Sequence, residues 1–143
     1  MTDERKLDAN VDDIDIEEED DDRELTREDF ARFRDRLVQE RRGVKERLER
    51  HLAEASEDTD NLPDEMDIAS RQTDQAYLFR LADKERKLLA EIDHALAKFE
   101  RGTFGICEGT GDPIGYKRLE LRPWTRYSLE YKERLEREQG RSR

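Results

Sequence analysis

Apolar positions recur with a helical period through the middle of the chain. Phe30, Phe33, Leu37, Val44, Leu48, Leu52 and Ala55 fall three, four or seven residues apart, which places them on one face of an α-helix. Glu40 interrupts this stripe, and Gly43 within it costs a helix ~1 kcal/mol relative to Ala. The start is marked by "TRED": Thr26 offers a hydroxyl N-cap ahead of Glu28 and Asp29, close to a capping box. The stripe stops at "SEDTDNLPDEMD", where Ser, Asp, Thr, Asn and Pro63 gather and predict a turn. A second helix is predicted from about Asp67 to Glu100, with Ile68, Gln72, Gln75, Phe79, Ala82, Glu85, Leu89, Ile92, Leu96 and Phe99 along its seam. Intervals alternating four and three are those of a heptad. Gln72 and Gln75 should weaken the half nearest the turn.

Two stripes of similar length joined by a short loop predict an antiparallel helical hairpin. Helices of about 30 residues extend roughly 45 Å, so this hairpin has little core and much surface. It suits reaching or assembly better than an enzyme pocket. Gly102 is placed to end the second helix. A compact segment follows, Phe104 to Trp124, and a final short helix begins near Thr125 with Tyr127, Leu129, Tyr131 and Leu135 available for packing. The terminal "GRSR" is expected to fray.

Composition agrees with this reading. Of 143 residues, 33% are hydrophobic and 47% charged, a balance that suits long solvated helices. The net charge of −11 is unevenly placed: residues 1–25 hold thirteen Asp or Glu against three Lys or Arg. The acidic tail is expected to be disordered, either as a solubilising appendage or as an arm that touches or masks a basic surface. The body is nearly neutral, so non-specific binding to duplex DNA is not expected. No apolar run reaches the ~20 residues of a membrane span, and no signal-peptide pattern opens the chain. A single cysteine excludes an intramolecular disulfide. A cytoplasmic location is the simplest expectation.

That cysteine, Cys107, follows an aromatic-glycine turn, and Thr110 stands where a C-x-x-C would be completed. Three pieces carry a family resemblance: G-x-[FY]-G-x-C at Gly102–Cys107, IG-x-x-RLE-x-RP at Ile114–Pro123, and D-x-x-D-x-A at Asp64, Asp67 and Ala69. From Thr26 onward the chain resembles the DksA/TraR family of bacterial transcription regulators. The resemblance implies four zinc positions, here Cys107, Thr110, Ser128 and Tyr131. Structural zinc needs four good N or S donors, and neither His51 nor His94 lies near this segment in sequence, so no zinc is expected. An aromatic knot of Phe104, Tyr116, Trp124, Tyr127 and Tyr131 would take over the metal's stabilising role, with Cys107 a small buried side chain.

The fold class that follows is all-α: a long antiparallel coiled-coil hairpin on a small globular base, with a degenerate zinc-finger-like knuckle and a C-terminal helix. The expected division is an acidic tail at 1–25, the hairpin at 26–100 with its tip at about 57–69, and the finger-like region with the last helix at 101–143.

The resemblance also implies a job: binding RNA polymerase directly, with the hairpin in the secondary channel, to modulate promoter-complex stability and initiation. It implies tip contacts from Asp64, Asp67 and Ala69, although both aspartates also suit the start of a helix. It implies a channel-rim contact from Lys84; Lys87 nearby has Asp83 one turn away as an ordinary helix-face partner. Arg122 and Lys132 match phosphate-binding positions for the alarmone (p)ppGpp. Glu91 stands where the family has a lysine, with Lys87 and Lys98 as nearby partners, so a weak alarmone response is expected. No catalytic reaction, membrane association or sequence-specific DNA binding is expected, and the chain should act as a monomer. Two other readings remain. The acidic pair Asp64 and Glu65 resembles the tip of Gre-type transcript cleavage factors, and a hairpin of this kind can also serve as a self-associating scaffold.

Overall fold

The computed structural model describes residues 23–57 and 64–141. Four helices follow one another: α1 (Arg27–Ala55), α2 (Glu65–Arg101), α3 (Tyr116–Leu121) and α4 (Leu129–Arg141). The first two pack against each other along the hairpin, and no strand occurs among the described residues beyond an isolated bridge between Ile106 and Pro113. Residues 1–22, most of the acidic tail, lie outside the described residues, as do 58–63 in the expected tip and 142–143.

Local sequence explains the helix ends. Thr26 caps α1 in a complete capping box: its Oγ1 accepts from the Asp29 N–H at 3.1 Å, and the Asp29 carboxylate accepts from the Thr26 N–H at 2.9 Å. The backbone hydrogen bond from Thr26 leads the causes that hold the Asp29 carboxyl below its ordinary value. Asp64 caps α2, accepting from the Met66 N–H at 3.2 Å. Gly102 ends α2 in the left-handed region, φ 71°, where a Cβ would be strained.

The core sits in the half of the hairpin next to the base. Phe33, Leu37 and Val44 of α1 pack with Ile92 and Ala95 of α2, and with Phe104, Cys107, Ile114 and Leu119 of the base. Phe99 stacks on Phe104 at 4.0 Å between ring centres. Phe30 meets both rings edge-on while keeping one side in water.

Toward the tip the seam keeps Ile68, Gln75, Ala82 and Glu85 as predicted but departs from the prediction at two positions. Phe79 is 50% exposed and Gln72 is exposed, whereas Arg71 and Leu78 turn inward with Gln75, Ala82 and Glu85. The reason is polar. Gln75 Nε2 donates to the Ala55 carbonyl at 2.9 Å, and the Arg71 guanidinium reaches the Glu54 carbonyl and the Glu57 carboxylate. These side chains satisfy the last carbonyls of α1, which have no partner within their own helix.

The "YKRLEL" segment, read in the sequence only as part of a compact knuckle, forms the short helix α3. The last helix starts at Leu129 rather than near Thr125, and Leu129 is exposed.

Candidate functional site

Three regions hold the residues singled out in the sequence. At the tip, the first turn of α2 presents Asp64, Glu65, Met66, Asp67 and Ala69, all exposed. Met66 is 76% exposed, the most exposed of the large apolar side chains among the described residues. Asp67 is exposed and has no side-chain partner among the described residues. Asp64 uses one oxygen as the cap.

Along the flank, Lys84 is exposed and makes no ion pair among the described residues, while Lys87 pairs with Asp83 at 3.3 Å as the helix spacing predicts. Tyr77 and Phe79 are exposed nearby on the same helix.

The base holds the third region. Arg118, Arg122, Arg126, Lys132, Trp124 and Tyr127, with Thr125 and Glu91, line a cleft of about 460 Å³. The structure thus brings Arg122 and Lys132 together, and puts Glu91 beside them. Glu91 makes its ion pair with Arg126, at 2.8 Å, and acts on Lys98 only at longer range. Arg126 lies 35 residues away in sequence, beyond the reach of helix spacing rules. It belongs to a larger network. His94 Nε2 lies 2.5 Å from a Glu108 oxygen, Lys98 Nζ 3.8 Å from the other, and Arg126 4.0 Å from that same oxygen. Lys98 is only 4% exposed, and burial pushes its ammonium below the ordinary lysine range, with Glu108 opposing. This network ties α2 to the knuckle and was not visible in the sequence; paired charges on helix and knuckle were its sole trace.

The four degenerate zinc positions do converge. Cys107 is 1% exposed. Burial pushes its thiol up, but hydrogen bonds from the Thr110 side chain and the backbone N–H groups of Ser128, Thr110 and Gly109 outweigh it and hold the pKa down to about 6. The Ser128 N–H lies 3.3 Å from Sγ. Ser128 Oγ accepts from the Tyr131 N–H at 3.3 Å. The Tyr131 ring lies so close to Gly109 that a Cβ there would come within 2.2 Å of it. One thiolate, two neutral hydroxyls and a phenol ring do not make a tetrahedral zinc donor set, and no cluster of three His, Cys, Asp or Glu suited to a metal occurs among the described residues. The residues present do not fit zinc. The aromatic knot is in place instead: Phe104 is in the core, Tyr116, Trp124, Tyr127 and Tyr131 pack against it, and Tyr127 and Tyr131 are 5.2 Å apart.

Comparison with known proteins adds a family. The model described as DnaK suppressor protein DksA, N-terminal domain, matches residues 29–99, and that of the prokaryotic dksA/traR C4-type zinc finger matches 102–137. The chain is 39% identical over 105 residues to the RNA polymerase-binding transcription factor DksA of Caulobacter vibrioides, covering 73% of this chain and 74% of that one. It is 35% identical over 94 residues to the protein of the same name from Escherichia coli K12, covering 66% and 62%. The solved structure of transcription factor DksA2 from Pseudomonas aeruginosa superposes with a TM-score of 0.68 at 41% identity, covering 75% of this chain and 82% of that one. Fold, knuckle and sequence agree: the chain belongs to the DksA/TraR family.

Proposed function

We propose that this chain binds bacterial RNA polymerase and regulates transcription initiation. Its hairpin would enter the secondary channel, so that Asp64, Asp67 and Ala69 face the catalytic region and shift the stability of promoter complexes. The observation that carries the reading is the tip: a two-helix hairpin presents there an Asp67 carboxylate that has no side-chain partner among the described residues, beside other exposed residues. Carboxylates accept charge-assisted hydrogen bonds well, and a slender hairpin admits them to a pore. Lys84, which makes no ion pair among the described residues, is the proposed rim contact. The chain acts as a monomer and a binding protein without a reaction of its own. No described helix is long and apolar enough to cross a membrane.

The base cleft is proposed as a weak phosphate site for (p)ppGpp, with Arg122 and Lys132 as its cations. Glu91 opposes that role at the cleft wall, although its charge is partly offset by Arg126 at 2.8 Å.

The test is direct binding of the full chain to purified RNA polymerase core, followed by the lifetime of open promoter complexes. Binding with a changed lifetime is the expected result. Binding with transcript cleavage in backtracked complexes would point to a Gre-type factor, and self-association without polymerase binding to a scaffold.

A further inference from the structure

The base carries positive charge that its described partners do not consume. In the cleft, Arg118, Arg122, Arg126 and Lys132 face one carboxylate, Glu91, which Arg126 already holds. Arg118 turns its Nε to the Tyr127 carbonyl at 2.8 Å. The Arg122 and Lys132 side chains have no ion pair or hydrogen bond among the described residues. A local excess of this kind attracts anions and costs self-repulsion when left uncompensated.

The same chain contains the complement. Residues 12–22 hold nine Asp or Glu and no Lys or Arg. They join the described structure at Arg23, whose guanidinium lies 4.1 Å from the centre of the Tyr116 ring, and Leu25 packs against the core. Tyr116 opens α3 and Arg122 follows its end, about 9 Å further at the helical rise. Eleven extended residues span up to ~35 Å, so reach is ample, and a tether of this length gives an effective concentration on the order of mM.

We propose that the acidic segment 12–22 docks in the cleft of its own chain, pairing with Arg122 and Lys132, so that any other anion must displace it to bind there. The tail then works as a built-in competitor, released as salt rises because the Debye length shrinks from ~30 Å at 0.01 M to ~3 Å at 1 M. The proposal rests on the charge of cleft and tail, and holds whether or not the cleft takes (p)ppGpp.

Two measurements on the full chain test it. Carbodiimide cross-linking at low salt, read by mass spectrometry, is expected to join Lys132 to a carboxylate within 12–22. The link should disappear in 1 M NaCl and fall several-fold in Arg122→Glu. In a mixture of isotopically heavy and light chains, linked peptides should carry the same label; mixed pairs would mean that a second copy supplies the tail, and would overturn the proposal. Tripolyphosphate binding can be followed through Trp124, the single tryptophan, which lines the cleft. A variant with Glu17→Gln, Glu18→Gln, Glu19→Gln, Asp20→Asn, Asp21→Asn and Asp22→Asn should bind tighter at 10 mM salt by the factor 1 + Ceff/Kd of the tethered tail, about tenfold for a tail Kd of ~0.1 mM against an effective concentration of ~1 mM. Equal affinities, or no link to Lys132, would overturn the proposal.

Discussion

At Cys107, donors converge on one sulfur from two separated segments: Gly109 and Thr110 within its own turn, and Ser128 twenty-one residues on. In a zinc knuckle such amides support a metal-bound thiolate; here they support the thiolate itself. The burial of Cys107 was readable from a small residue amid aromatic neighbours. Its lowered pKa was not, because the Thr110 hydroxyl and the backbone donors beside it are aimed at the sulfur only by the folded turn. A pH dependence follows. The folded pKa is about 6, against an ordinary value of 9.0. A depressed acid contributes stability that is complete above the unfolded pKa and lost as pH falls through the folded one. Replacing Cys107 with Ser removes the ionisation, so the stability deficit of Cys107→Ser in urea titrations should widen between pH 6 and pH 9. A deficit independent of pH would mean that the thiol stays neutral. The same residue decides the metal question. Protein purified without chelator should contain far less than one equivalent of zinc, measured by atomic emission. Near-stoichiometric zinc, lost in Cys107→Ser, would contradict the misfit of Thr110, Ser128 and Tyr131 as ligands.

At the scale of elements, the parts that followed from spacing are those where burial dominates. Phe33, Leu37, Val44, Ala82 and Ile92 were on the predicted stripes and are buried. The capping residue Thr26 and the ending residue Gly102 follow from side-chain chemistry and from positive φ. The predicted seam failed at Gln72 and Phe79, where apolar mass ran out. Near the tip, Arg71 and Gln75 turn inward to bond carbonyls of α1, leaving Phe79 outside, and hydrophobic periodicity carries no information about such bonds. Gly43 gives an independent check on α1. It lies mid-helix with no positive φ, and a Cβ would approach nothing nearer than the flexible end of Arg47 at 3.5 Å. Gly43→Ala should therefore stabilise the chain by about 0.5–1 kcal/mol, seen as a higher urea midpoint with an unchanged slope. A destabilised variant would show that α1 bends or packs differently there.

At the scale of the whole molecule, a firmly packed base carries a lightly packed arm, and the proposed function gives different tasks to the two ends. The contacts that join them were the least readable in advance, since Glu91–Arg126 and His94–Glu108 link residues far apart in sequence. They bear on the alarmone. Glu91→Lys would replace a carboxylate at the cleft wall by a cation. A unit charge near phosphate at about 4 Å is worth ~1–4 kcal/mol depending on the effective dielectric, so the variant should respond to (p)ppGpp at lower concentration than the wild-type chain in transcription with its polymerase. Strong potentiation of the wild type, unchanged in Glu91→Lys, would place the phosphate site elsewhere. The proposal that the tip acts on polymerase is tested most directly by the lifetime of an open promoter complex at saturating protein, wild type against Asp67→Asn. Asn keeps the shape of Asp and its suitability for a helix start, and Asp67 makes no side-chain hydrogen bond or ion pair among the described residues, so folding and polymerase affinity should change by no more than a few-fold. The wild-type chain should alter the lifetime and Asp67→Asn should leave it as it is without the protein; an equal effect from both chains would contradict the role given to the tip.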